Sequence, residues 1–136
     1  MGDRIVGEIL VIGLTATTVR CRAFRLDREG GAVVASVVDQ RNIWALDHLE
    51  PSVSWNIMDY IIGRSRLKRP LLGIVIVSDC TAESADAADP CRAWRLGVLE
   101  GYVRAAAAEI ECPIRCVSAT PSPATLACAW EEIEID

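Results

Sequence analysis

No segment of this sequence has the apolar length that a bilayer crossing requires. The longest uninterrupted apolar stretches, such as residues 71–77 and 105–108, fall far short of the ~20 residues that span a hydrocarbon core. No membrane partner is therefore expected. Clustered positive charge is also scarce. The formal net charge is −5, whereas affinity for phosphate backbones comes largely from grouped Lys and Arg, so no nucleic-acid partner is expected either. The one basic run, Arg64, Arg66, Lys68 and Arg69, stands just before Pro70 and reads as a helix C-terminus carrying cations that its dipole favours. Histidine occurs once, as His48 beside Asp47, with no identifiable nucleophile for it to activate.

The common ligand signatures are missing too. There is no Gly-x-Gly-x-x-Gly and no Gly-Lys-Ser/Thr loop, which excludes those routes to nucleotide binding. The acidic stretch holding Asp79, Glu83, Asp86 and Asp89 lacks the Gly and alternating oxygens of a calcium hand and reads as a solvated loop. The six cysteines, Cys21, Cys80, Cys91, Cys112, Cys116 and Cys128, are scattered through apolar contexts without zinc-ligand spacing. In Cys112-Pro-Ile-Arg-Cys116 the two thiols fall four apart, on one face of a strand, so both are expected in the core. No metal and no cofactor are expected. The opening residues, MGDRIVGEILVIG, do not have a signal peptide's basic-then-apolar layout, and a cytoplasmic chain with reduced core cysteines is expected.

What the sequence does contain is an α/β pattern on a single domain, residues 1–136, a length at which about two thirds of the unfolded surface can be buried. Residues 7–14 are an apolar run suited to a strand buried on both faces. Residues 18–27 alternate, with Val19, Cys21, Ala23 and Phe24 interleaved with Arg20, Arg22 and Arg25, as in a strand with one solvated face. Arg28-Glu29-Gly30-Gly31 supplies a hairpin turn, and residues 32–38 return as a third strand. A polar connector containing Trp44, His48 and Pro51 follows. Val53, Ile57, Met58, Ile61 and Ile62 then share a helix face behind a possible Ser52 cap. Residues 71–77 read as a buried parallel strand and Asp89-Pro90 as the start of a second helix through Leu96, Leu99, Val103 and Ala107. A last strand at 113–117 and a helix opening at Ser122-Pro123 complete the order β-β-β-α-β-α-β-α. That order predicts a ribonuclease H-like fold: a five-stranded mixed sheet with helices on both faces, the unit repeated in actin-like ATPases.

Two segments resemble sugar kinases of the actin-like superfamily, of the ROK/glucokinase or FGGY type. The first is Val11-Ile-Gly-Leu-Thr-Ala-Thr-Thr-Val-Arg-Cys-Arg-Ala-Phe-Arg-Leu-Asp27 with Val33-Val-Ala-Ser36. It is similar to an opening hairpin built around an Asp-x-Gly-Thr phosphate loop. The second comprises Trp94, Glu111-Cys-Pro-Ile114 and Ser118-Ala-Thr-Pro-Ser-Pro-Ala-Thr-Leu-Ala127. It is similar to the region where those kinases carry a catalytic Asp ahead of an Ala-rich helix. Together they span most of the chain and correspond to the first lobe of such a kinase.

The departures from that pattern bear on function. Thr15 stands where the resemblance implies a metal- and phosphate-directing Asp, and Thr17 where it implies Gly, so that Thr18 alone matches. A β-branched residue at 17 obstructs the close backbone approach to phosphate that Gly permits. Thr120 aligns with the general base, and a hydroxyl cannot accept a proton as a carboxylate does. A ribonuclease H-like nuclease would need several carboxylates around two metal ions, and Asp79 is the one well-placed acid. No catalytic residue is assigned. Thr15, Thr17, Thr18, Asp79 and Thr120 are expected to form a degenerate cleft at the carboxyl ends of adjacent parallel strands.

Four Trp stand beside one Phe and two Tyr. They either fill a core poor in other aromatics or mark contacts, since Trp is enriched at interface hot spots. Trp130, Ile133 and Ile135 are interface candidates, because the run Glu131-Glu-Ile-Glu-Ile-Asp136 suits a strand added to a partner's sheet. The expectation is a non-catalytic actin-like single-lobe protein acting by association, as a homodimer or beside a partner chain. The alternative is a sugar-type kinase subunit or phosphotransferase whose weakened ATP site another chain completes.

Overall fold

The structure, a computed structural model, describes residues 4–15, 17–44, 51–67, 70–78 and 90–126. Strands β1 (Arg4–Leu14), β2 (Thr18–Glu29) and β3 (Ala32–Trp44) form an antiparallel meander. Helix α1 (Pro51–Ser65) leads into β4 (Leu71–Ser78), and α2 (Pro90–Glu109) leads into β5 (Ile114–Val117). The sheet order is β3-β2-β1-β4-β5, with β1–β4 and β4–β5 parallel. This is the mixed α/β architecture of the ribonuclease H-like fold.

The alternation of β2 sorts its side chains between two layers. Val19, Cys21 and Ala23 join Leu10, Ile12, Ile74 and Ile76 beneath the two helices, whose apolar stripes include Ile57 and Ile61 from α1 and Leu99 and Val103 from α2. Phe24 and Leu26 point the other way. They pack with Ile9, Val11, Val33 and Val75 against Leu126, from a helical turn at 123–126. The second face is thus apolar at one end and basic at the other, where Arg20 and Arg22 stand. β2 is solvated over only part of the face that its sequence pattern predicts, because Leu126 and β3 cover the rest.

Gly30 and Gly31 turn the β2–β3 hairpin with φ of 57° and 86°, a pair of left-handed conformations that favours glycine. β3 extends to Trp44, well past the expected end at Val38, since pairing with β2 continues from Glu29↔Ala32 to Thr18↔Trp44. Its second half, Asp39-Gln-Arg-Asn42, is too polar to read as a strand from pattern alone. One register shift, between Ala23 and Phe24 on β2, leaves Val38 as the extra residue on β3. Helix α1 begins at Pro51, one residue before the expected cap, with Pro at the first helical position. Helix α2 closes through Glu111, whose φ is 54°. The amide of Cys112 reaches Ala107 O at 2.9 Å and that of Glu111 reaches Ala108 O at 3.2 Å, the paired bonds of a Schellman ending.

The cysteine expectation holds at one end and fails at the other. Cys112 packs partly buried against the helix-side core, but Cys116 is exposed. β5 is a four-residue edge strand with little covering it, and Arg104 Nη2 donates to Cys116 Sγ at 2.9 Å. The three described tryptophans do not fill the core. Trp44, Trp55 and Trp94 are 63%, 67% and 64% exposed.

Glu8 of β1 is the largest departure from a purely apolar interior. It is only 1% exposed, and its carboxylate takes Arg64 in a bidentate pair, with Nη2 at 2.7 and 2.8 Å from the two oxygens and Nε at 3.1 Å. Arg64 was expected to cap α1 within a basic run. It turns inward instead, and its second amino group lies 3.7 Å from Asp39 of β3. Tyr60, one turn earlier, donates to the same Asp39 oxygen at 2.9 Å, and Arg41 lies 5.0 Å above the Tyr60 ring.

Two outcomes follow for stability. Arg64→Met removes the guanidinium that compensates a buried carboxylate and should cost about 3–5 kcal/mol in urea unfolding. The double change with Glu8→Leu should recover most of that loss. Separately, burial pushes the Cys21 thiol up from 9.0 to about 12, against a smaller opposing effect of Arg41. The thiol stays neutral in the folded state while the unfolded chain ionises, so this contribution is intact below about pH 9 and is lost as pH rises toward 12. Burial and the bond to Asp39 shift Tyr60 the same way. Melting temperature should fall across this window, and Cys21→Ala should flatten the fall by up to about 1.4 kcal/mol per pH unit.

Candidate functional site

β1 ends at Leu14, and β2 begins antiparallel to it at Thr18. Thr15 holds the reversal. Its Oγ1 accepts the amides of Thr18 at 3.0 Å and Thr17 at 3.3 Å, and lies 2.7 Å from the Thr18 hydroxyl. The Thr15 amide closes the turn on Thr18 O at 3.0 Å. A short side chain that caps its own loop in this way serves the backbone where the resembled kinases would use an Asp.

The loop after β5 comes to the same place. Ser122 caps the helical turn at 123–126, accepting the Thr125 amide at 3.2 Å, and the buried Leu126 fixes that turn on the second face. Thr120, just before the cap, thereby enters a cleft of about 250 Å³. From β1 the cleft takes Val11, Gly13 and Leu14, followed by Thr15. β2 contributes Thr18, Arg20 and Arg22, and β4 contributes Val77. Thr15, Thr18 and Thr120 are therefore brought together. Thr17 is exposed beside them and is not part of the lining. Asp79, His48, Trp130, Ile133 and Ile135 lie outside the described residues.

Sequence reasoning missed the two arginines. Their signal was available: in Arg20-Cys21-Arg22, alternate positions share one face of a strand, roughly 7 Å apart. They lie on the strand that follows the turn held by Thr15. Neither forms an ion pair among the described residues, whereas Arg25, Arg41, Arg64 and Arg104 each meet a carboxylate. The described lining holds no acid, and among the described residues no group of three His, Cys, Asp or Glu side chains is arranged to hold a metal ion. No described helix is long and apolar enough to cross a membrane. Chemically, the cleft offers hydroxyls and guanidinium groups: donors for an anion rather than ligands for a cation.

No protein-family model matches the chain, and no curated protein matches it significantly. Among solved structures it is similar to RuvC of Thermus thermophilus in complex with a Holliday junction substrate. That likeness has a TM-score of 0.61 at 16% identity and covers 82% of this chain and 66% of that one. A second Thermus thermophilus RuvC structure gives a TM-score of 0.58 at 16% identity, over 82% and 61% of the two chains. The Aquifex aeolicus PPX-GPPA enzyme gives 0.44 at 10% identity, over 86% of this chain and 36% of that one. The chain thus spans no more than about two thirds of these proteins. The class defined is the ribonuclease H-like fold, and the sugar-kinase resemblance finds no support beyond that fold.

The turn itself is open to test. Thr15→Ala deletes the acceptor of two amides and should cost about 1 kcal/mol, with faster hydrogen exchange at the Thr18 amide. Thr15→Ser should restore both.

Proposed function

We propose that this chain is a non-catalytic ribonuclease H-like domain that works by association, with a second copy of itself or with a partner chain. The observation that carries the reading is the composition of the cleft. Metal-dependent phosphoryl transfer needs carboxylates to hold the ion and to accept a proton, and the described lining supplies threonines and arginines at those strand ends. Thr15 and Thr120, aligned with the two kinase carboxylates, share the cleft. Their meeting follows from the fold and does not single out kinases.

Association is supported by three exposed tryptophans. Trp44 ends β3, and Trp55 and Trp94 sit in the second turns of α1 and α2. β3 runs with β1, and each helix leads into a strand parallel to β1, so all three lie toward the carboxyl end of the sheet. Exposed aromatics at one end suit an interface. The Holliday junction in the RuvC structure suggests a nucleic-acid partner for that protein. Here the net charge of −5 weighs against one.

Sedimentation should detect a dimer or a stable complex at high micromolar concentration, weakened in Trp55→Ala and Trp94→Ala. A strict monomer there would remove the homodimer form. Incubation with ATP and Mg²⁺ should release no phosphate above background, and stoichiometric turnover would overturn the non-catalytic reading.

A further inference from the structure

We propose that the cleft at the carboxyl end of β1 is a binding site for a small phosphate-bearing anion. In this assignment Arg20 and Arg22 form its cationic wall and the hydroxyls of Thr15, Thr18 and Thr120 its rim. The proposal rests on the non-catalytic reading only for the fate of the anion, which is held rather than cleaved.

Charge is the first argument. Among the described residues, several arginines find a carboxylate partner. Arg25, Arg41, Arg64 and Arg104 have done so, while Arg20 and Arg22 stand side by side on one strand face and pair with none among the described residues. Two neighbouring guanidinium groups repel each other, and a multivalent anion between them removes that repulsion. Their forked donors match phosphate oxygens bidentately.

Space is the second. Gly13 lies opposite Arg20 across the β1–β2 ladder and opposite Val77 on β4. It therefore leaves the floor bare between the arginines and β4. Packing does not require this: a Cβ at Gly13 would meet nothing nearer than Arg20 Cβ and O at 3.9 Å. The volume of about 250 Å³ is below the roughly 300–1,000 Å³ of sites for drug-sized ligands. A cleft of that size suits a small anion such as phosphate or pyrophosphate.

The third argument is a count of donors. Thr15 and Thr18 share one hydroxyl proton across 2.7 Å, which leaves the other free to point into the cleft. Thr120 adds a third hydroxyl. A dianionic phosphate, with three acceptor oxygens, satisfies two separate guanidinium groups and these hydroxyls together. A monovalent, planar carboxylate would occupy one fork and leave the rest unmet.

The test is calorimetry on the full chain with pyrophosphate, inorganic phosphate and acetate at constant ionic strength, with urea unfolding as a check on folding. Saturable one-to-one binding of pyrophosphate or phosphate is expected, with acetate at least tenfold weaker. Arg20→Gln and Arg22→Gln, at exposed and half-exposed positions, should each weaken binding at least tenfold. Gly13→Val should abolish it by filling the floor. Absence of saturation by millimolar anion, or equal affinity in wild type and both arginine variants, would overturn the proposal. Tighter binding of a single-stranded DNA oligonucleotide than of pyrophosphate, lost in the same variants, would reassign the site to nucleic acid and overturn it as well. Cleavage of bound pyrophosphate would leave the site standing and remove the non-catalytic reading instead.

Discussion

The buried carboxylate of Glu8 sets the register on which the remaining architecture depends. A strand slipped by one residue turns every side chain to the opposite face, and for β1 that slip would carry Glu8 out of reach of Arg64 and into the layer of Val11 and Phe24. The pair contributes little net stability in itself, because desolvating two charges consumes most of what their attraction returns. Its effect is selective, in that it penalises misplacement. Through Arg64 and Asp39 it ties α1 to the first and third strands at once, and Tyr60 adds a second attachment on Asp39. Gly7, immediately before it, permits the close entry of β4: a Cβ there would meet Pro70 O and Leu72 Cγ at 2.7 Å.

Once β1 is fixed, the cleft follows from strand alternation. Gly13 and Val11 must face the layer opposite the helices, and their β2 partners Arg20 and Arg22 must face it beside them. The apolar half of that layer receives Leu126, which draws the loop carrying Thr120 across the strand ends. The other half carries Arg20, Arg22 and the bare Gly13, and the cleft opens there. The cleft is therefore the portion of the second face that its own sequence could not seal.

Much of this was legible in advance, and the reasons are local. Gly30-Gly31 demanded a tight hairpin, the run at 71–77 was too short for a helix, and Ser122-Pro123 announced a helical start. What escaped reading depended on tertiary pairing. Asp39-Gln-Arg-Asn42 is strand because β2 extends far enough to hydrogen-bond it, not because its residues favour a pleat. Arg64 looked like one member of a basic run, and only the buried acid on β1, 56 positions away, distinguishes it from its neighbours. Cys116 obeyed the two-residue period but sits exposed near the end of a short edge strand, where Arg104 reaches its sulfur. Arg20 and Arg22 stand on the solvated face that the pattern predicts, whereas Arg25, opposite Glu8, lies on the other. What the solvated face surrounds depends on Gly13 and on the loop carrying Thr120.

The likeness to RuvC fixes the path of the backbone and leaves the sign of the cleft undetermined. In an open α/β sheet the crevice lies where parallel strands end, and its position is a property of the connections. Its chemistry is set by a handful of side chains that the core does not constrain. Carboxylates at those strand ends would gather divalent cations, whereas guanidinium groups repel them and attract anions, to which the neighbouring hydroxyls can donate. Thr15 illustrates how little the scaffold resists such a change. An Asp in its place could accept the same two amides and keep the turn, so the backbone tolerates either residue while the electrostatic preference of the cleft reverses. Function in this domain must accordingly be argued from Thr15, Arg20, Arg22 and Thr120 themselves, and those residues describe a site that receives negative charge.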